Sequence, residues 1–183
     1  MRRRLQLTAL VAVIAVLGIV AAAVATGGGR SINERLSGFE ETPVPLSTTG
    51  NGKFNAQISR FQDKIEYRLS YADLEGGVTQ AHIHFGHEKG APGGISVWLC
   101  ANNPPITNAP AGTQACPAPS GTITGTIRPE NVVGPTGQGI DAGQYDEFLR
   151  ALDAGLTYVN VHSSKYPGGE IRAQIDDRRD GHH

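Results

Sequence analysis

Cysteine is scarce in this chain, positive charge is in no surplus, and several common catalytic signatures are missing. Of 183 residues only Cys100 and Cys116 are cysteines, and neither has the paired Cys or His neighbours that a structural zinc site needs. Lys and Arg number 16 against 17 Asp and Glu, which excludes the basic surface expected of a nucleic-acid or acidic-lipid binder. No Gly-x-Ser-x-Gly elbow occurs, so serine hydrolysis has no support. Gly137-Gln138-Gly139 follows Pro135 in a loop instead of a strand, and so is no dinucleotide fingerprint. There is no Asn-x-Ser/Thr acceptor and no internal repeat.

What is present begins with an export signal. Arg2-Arg3-Arg4 precedes an apolar run over 5–25, broken only by Gln6, Thr8 and Gly18, and Ala23-Val24-Ala25 has the small-x-small form that signal peptidase reads. Two outcomes are open: a signal peptide cleaved after Ala25, which the Ala-rich end favours, or a retained N-terminal membrane anchor. In both, the arginines stay in the cytoplasm and the rest is exported, to a secreted, periplasmic or cell-surface location. Any membrane contact is then through this segment alone. No cysteine follows the run, which argues against a lipoprotein. Taking the three arginines from the 16 basic residues leaves 13 against 17 acidic ones, so the exported part is acidic. In an oxidising compartment a Cys100–Cys116 disulfide is the default, closing a Pro-rich loop that would be held near the sheet, where it could shelter a patch of histidines from water.

Residues 26–34 read as a flexible linker, 35–176 as one domain and 177–183 as a charged tail. Within the domain, period-2 alternation predicts strands over 35–39, 52–59, 64–70, 78–85, 95–100, 121–128, 157–162 and 170–175. The only helical pattern covers about 141–153, where Tyr145, Phe148, Leu149 and Leu152 share a face and Gly155 supplies a stop. Short strands, frequent turns and one short α-helix imply an all-β, antiparallel Greek-key sandwich or barrel.

Histidine carries the chemistry. In the strand over 78–85, Ile83 and Phe85 fall on one face and His82 and His84 on the other; in 157–162, Val159 and Val161 oppose Asn160 and His162. If the two strands are neighbours, His82, His84 and His162 gather on one patch outside the core. Imidazole is the commonest protein ligand for transition metals, so copper or zinc is the ion to expect. The bland alternative is a set of half-exposed strand histidines bonded to loops. His87 is either a fourth ligand or solvated. Glu41 either accepts an imidazole N–H or is an exposed acid before a proline turn. Glu170 and Arg172 share a strand face, as an ion pair beside His162 or, by default, as a solvated edge. Trp98 is either a core plug or a binding aromatic.

Four blocks carry a family resemblance: Leu36-Ser37-Gly38-Phe39-Glu40-Glu41-Thr42-Pro43, Ala81-His82-Ile83-His84-Phe85-Gly86, Tyr158-Val159-Asn160-Val161-His162 and Pro167-Gly168-Gly169-Glu170-Ile171-Arg172. In order and spacing they resemble the CHRD (chordin-type) domain, in a stand-alone exported form like that of bacterial relatives. The resemblance implies an extracytoplasmic β-sandwich module that binds a protein or small ligand; in animal chordin such domains belong to a secreted antagonist of growth factors. A more distant likeness is to copper/zinc superoxide dismutase, which also sets a His-x-His strand outside a Greek-key barrel. That likeness implies, as an alternative, a copper-dependent oxidoreductase on His82, His84 and His162. Too few histidines are present for the dismutase's second metal.

Overall fold

A computed structural model of the protein describes residues 29–87 and 90–176. The expected export segment and the charged tail lie outside the described residues. Among the described residues no helix is long and apolar enough to cross a membrane.

Eight antiparallel strands form one sheet: β1 (Arg30–Ser37), β2 (Asn51–Ile58), β3 (Ile65–Ala72), β4 (Val78–Phe85), β5 (Gly94–Ala101), β6 (Gly121–Ile127), β7 (Thr157–Ser163) and β8 (Ile171–Ile175), in the order β5-β4-β7-β8-β1-β2-β3-β6. The all-β expectation is met. The sheet curls until its two ends nearly meet. Val97 of β5 bridges to Val132 just after β6, and Val133 N–H donates to the Ser96 carbonyl, so the seam is closed by the chain leaving β6. The inward residues of each strand fill one core, including Phe54, Ile58, Leu69, Ile83, Leu99, Val159 and Ile175. Pleating puts alternate side chains inside, which is why β2 and β3 read so regularly as strands.

Two boundaries differ from expectation. β1 spans Arg30–Ser37 and not 35–39, so 30–34 is sheet and not linker. Ile32 and Leu36 are its buried residues, and the full register from Arg30↔Ile58 to Ser37↔Asn51 holds it along β2. The polar run of Arg30, Ser31, Asn33, Glu34 and Arg35 hides so sparse an alternation in the sequence. Gly38–Glu40 is a 3-10 turn that leaves Phe39 exposed. The helix α1 (Tyr145–Asp153) starts four residues later than expected. Gly143 adopts φ 83°, a left-handed conformation that no helix tolerates, and Tyr145 N–H donates to its carbonyl. The predicted apolar face, Tyr145, Phe148, Leu149 and Leu152, is buried. The helix ends as the sequence indicates, with Gly155 N–H on the Leu152 carbonyl and Leu156 N–H on that of Ala151, the paired bonds of a Schellman cap.

Cys100 and Cys116 are joined, with Cα atoms 5.1 Å apart. The stapled loop packs over the seam: Gln114 Nε2 donates to the Leu99 carbonyl on β5 and to the Thr124 carbonyl on β6, and Asn102 Nδ2 to the Val78 and Cys116 carbonyls. Its role is therefore to bind the two ends of the sheet together. None of its hydrogen bonds among the described residues reaches a histidine, so the expectation that it shelters them gives way to a different cover.

A three-histidine cluster as candidate metal centre

β4 pairs with β7, as the histidine argument required, in the register His82↔Asn160, His84↔Tyr158 and Gln80↔His162. Because Ala81, Ile83, Val159 and Val161 point into the core, the pleat turns His82, His84, Tyr158, Asn160 and His162 to the outer face of the sheet. β5 adds Trp98 opposite His82, and β8 adds Arg172 opposite Asn160 and Gln174 opposite Tyr158. Outer face does not mean exposed here. His82 is 1% exposed, His84 7% and His162 6%. The cover comes from the residues after β4 and from the β7–β8 turn.

Each covering segment holds an imidazole. His84 Nδ1 lies 2.9 Å from the Gly93 carbonyl oxygen, and His162 Nδ1 lies 2.9 Å from that of Pro167. A carbonyl only accepts, so both rings carry their proton on Nδ1 and present a bare Nε2 lone pair. His82 Nδ1 lies 3.2 Å from His162 Nε2 and can donate to it. The Nε2 atoms of His82 and His84 are buried without a hydrogen-bond partner. One ring nitrogen from each of the three histidines lies within 4.8 Å of the others, the one such metal-capable group among the described residues. Nitrogens about 2.0–2.1 Å from a shared ion stand roughly 3.4 Å apart, so small ring rotations suffice to close on it.

The electrostatics keep these lone pairs free. Burial, then the neighbouring His162 and His84, push the His82 imidazolium down to about 2. Burial lowers His84 to about 4 against the opposing bond to Gly93, and lowers His162 as well. All three rings are neutral at pH 7, the form that ligates a metal. Around them the rings interlock: His82 meets Trp98 edge-on with centroids 4.3 Å apart, and His84 lies parallel on Tyr158 at 4.7 Å. The Arg172 guanidinium sits 3.9 Å over the Tyr158 ring.

Among the described residues, the other nominated side chains surround this cluster, and Glu170 and Arg172 bond to the connections around it. His87 is exposed; its backbone carbonyl accepts from Arg172 Nη2. Arg172, 1% exposed, also donates to the Glu40 carbonyl and to Gln174 Oε1, so it pins the β1–β2 connection and the segment after β4 onto the sheet. Fully buried Glu170 accepts from the Thr48 hydroxyl and the Glu75 N–H, and thereby ties three connections together. Glu41 takes no imidazole proton; the Nδ1 protons of His84 and His162 go to backbone carbonyls, and His82 Nδ1 faces His162 Nε2. It is buried against Gly169, and burial raises its carboxyl to about 7. The Pro167-Gly168-Gly169 turn does more than reverse the chain, since it supplies the His162 acceptor and the space for Glu41.

The sequence pattern had already put Asn160 on the face of His162, but nothing in it marked Asn160 or Tyr158 as neighbours of the cluster. The Gly93 and Pro167 carbonyls leave no trace in any side chain.

Comparison with curated proteins and with solved structures finds no match. The family model of the CHRD domain matches residues 32–175, a span that holds β2 to β8, β1 from Ile32 on and all three buried histidines. The chain belongs to the CHRD domain family.

Proposed function

We propose that this chain is an exported binding or interaction module that holds one transition-metal ion on His82, His84 and His162. The observation that carries the reading is the pair of carbonyl-fixed imidazoles, His84 and His162, whose bare Nε2 atoms lie beside His82 in a buried cluster where the Nε2 atoms of His84 and His82 have no partner. An orphaned buried acceptor costs about 1–3 kcal/mol, a cost that a bound ion removes. Imidazole ligands suit zinc and copper. Export rests on residues 1–25 and on the disulfide, which suits an oxidising compartment, whereas the bacterial stand-alone form rests on the family resemblance alone. The partner is then an extracytoplasmic protein or small ligand.

Binding is favoured over catalysis because the rings are almost wholly covered, whereas turnover needs a substrate path to the ion. Calorimetry of the purified domain with Zn2+ and with Cu2+ tests the reading. One ion per chain is expected, with a rise in melting temperature that is lost in His84→Ala; no binding of either ion overturns it. Superoxide turnover that tracks bound copper would establish the oxidoreductase alternative instead.

A further inference from the structure

Asn160 stands in the middle of the cluster with its carboxamide oxygen 3.1 Å from His162 Nε2. That nitrogen has no proton to give, because its ring partner Nδ1 is engaged with the Pro167 carbonyl. With the carboxamide in this orientation two electron-rich atoms face each other at hydrogen-bond distance, whereas the flipped amide would donate Nδ2–H to that lone pair. The residue is 3% exposed, and its place between His82 and Arg172 in the β4–β7–β8 register leaves little room for it to turn away. A cation bound at His162 Nε2 would sit beside this oxygen and turn the repulsion into a bond.

We infer that Asn160 is the fourth ligand, so that the centre is a neutral three-nitrogen, one-oxygen shell for a d-block dication. The inference rests on the metal-binding reading above and adds its donor set. A shell of this kind fits zinc, cobalt or copper, which accept imidazole. It does not fit calcium or magnesium, which require mostly oxygen ligands. A four-donor shell also explains how a site this dry meets zinc's preference for four ligands without a carboxylate.

Cobalt(II) is the probe, because its visible bands report coordination number and donor type. The full-length chain is titrated with Co2+, with Zn2+ competition for affinity, alongside Asn160→Leu and Asn160→Asp. In Asn160→Leu the affinity is expected to fall at least about tenfold with altered bands, while the metal-free protein keeps its fold. In Asn160→Asp, of nearly the same shape, an anionic oxygen should raise affinity and shift the bands, and this variant carries the test if the leucine variant misfolds. Bands unchanged in both variants overturn the assignment, whether or not affinity falls, since the residue would then only shape the pocket. Absence of Co2+ and Zn2+ binding by the unmodified chain is a different result: it removes the metal site itself.

Discussion

His162 Nδ1 donates to the carbonyl oxygen of Pro167, 2.9 Å away and five residues on, so the β7–β8 turn fixes which nitrogen the ring shows to the cluster. The turn and the site are therefore one mechanical unit.

That unit predicts different effects for two adjacent glycines. Gly169 has φ 133°, and a Cβ there would lie 2.6 Å from Glu41 Oε1. Gly169→Ala is expected to destabilise the protein by about 1–3 kcal/mol and to weaken Zn2+ binding by moving the Pro167 carbonyl. A Cβ on Gly168 meets nothing within 4 Å, so Gly168→Ala should change stability by less than about 0.5 kcal/mol. Denaturant melts and zinc titrations of both variants check the contrast; equal effects would contradict it.

Histidine removal should separate stability from metal binding. His82→Leu deletes a buried Nε2 that has no partner and keeps an apolar contact against Trp98, but it also removes the Nδ1–H that faces His162 Nε2. The two effects offset, so metal-free stability is expected to change by less than about 1 kcal/mol, while the zinc-induced rise in melting temperature disappears. A large loss of metal-free stability would show that the ring is there for packing.

The pH dependence follows from the direction of each shift. His84 falls from 6.5 unfolded to about 4 folded, so its neutral form contributes stability above pH 6.5 that is lost as pH falls to about 4. By linkage this is about 3 kcal/mol, with His82 and His162 adding in the same direction. Glu41 works the other way: raised from 4.5 to about 7, it contributes stability below pH 4.5 that is lost as pH rises to about 7. Three groups outweigh one, so the metal-free protein should weaken from pH 6.5 to 4, and Glu41→Gln should steepen the decline. Urea melts across that range measure it, and a stability that rises on acidification would refute the assignment of the rings as buried and neutral.

Reduction of Cys100–Cys116 should loosen the stapled loop before it opens the sheet. The bond closes a loop worth about 3 kcal/mol by chain entropy, but Gln114 and Asn102 retain their bonds to β5, β6 and β4 without it. Proteolysis with and without reductant is expected to show new cuts within 101–115 and an intact remainder. Unchanged cleavage would mean that the hydrogen bonds alone hold the loop.

The all-β architecture, the helix face, the disulfide and the placing of three histidines on one side of two strands were legible in the residue pattern. Period-2 alternation assigns each strand residue to a face whatever the strand's neighbours are, and Ile83, Val159 and Val161 oriented the histidines by occupying the other side. The pattern faltered where apolar residues are sparse, at Arg30–Ser37, and where backbone conformation decides, at Gly143. Burial of the histidines was beyond its reach, because their cover comes from segments distant in sequence that pack over the outer face. So was their protonation: it is set by the carbonyls of Gly93 and Pro167, and a backbone acceptor has no side chain by which a sequence can announce it. Alternation alone determined which residues would share a face. Only the tertiary structure, by excluding water and aiming two carbonyls, decided that three nitrogens there would be left with lone pairs and no proton.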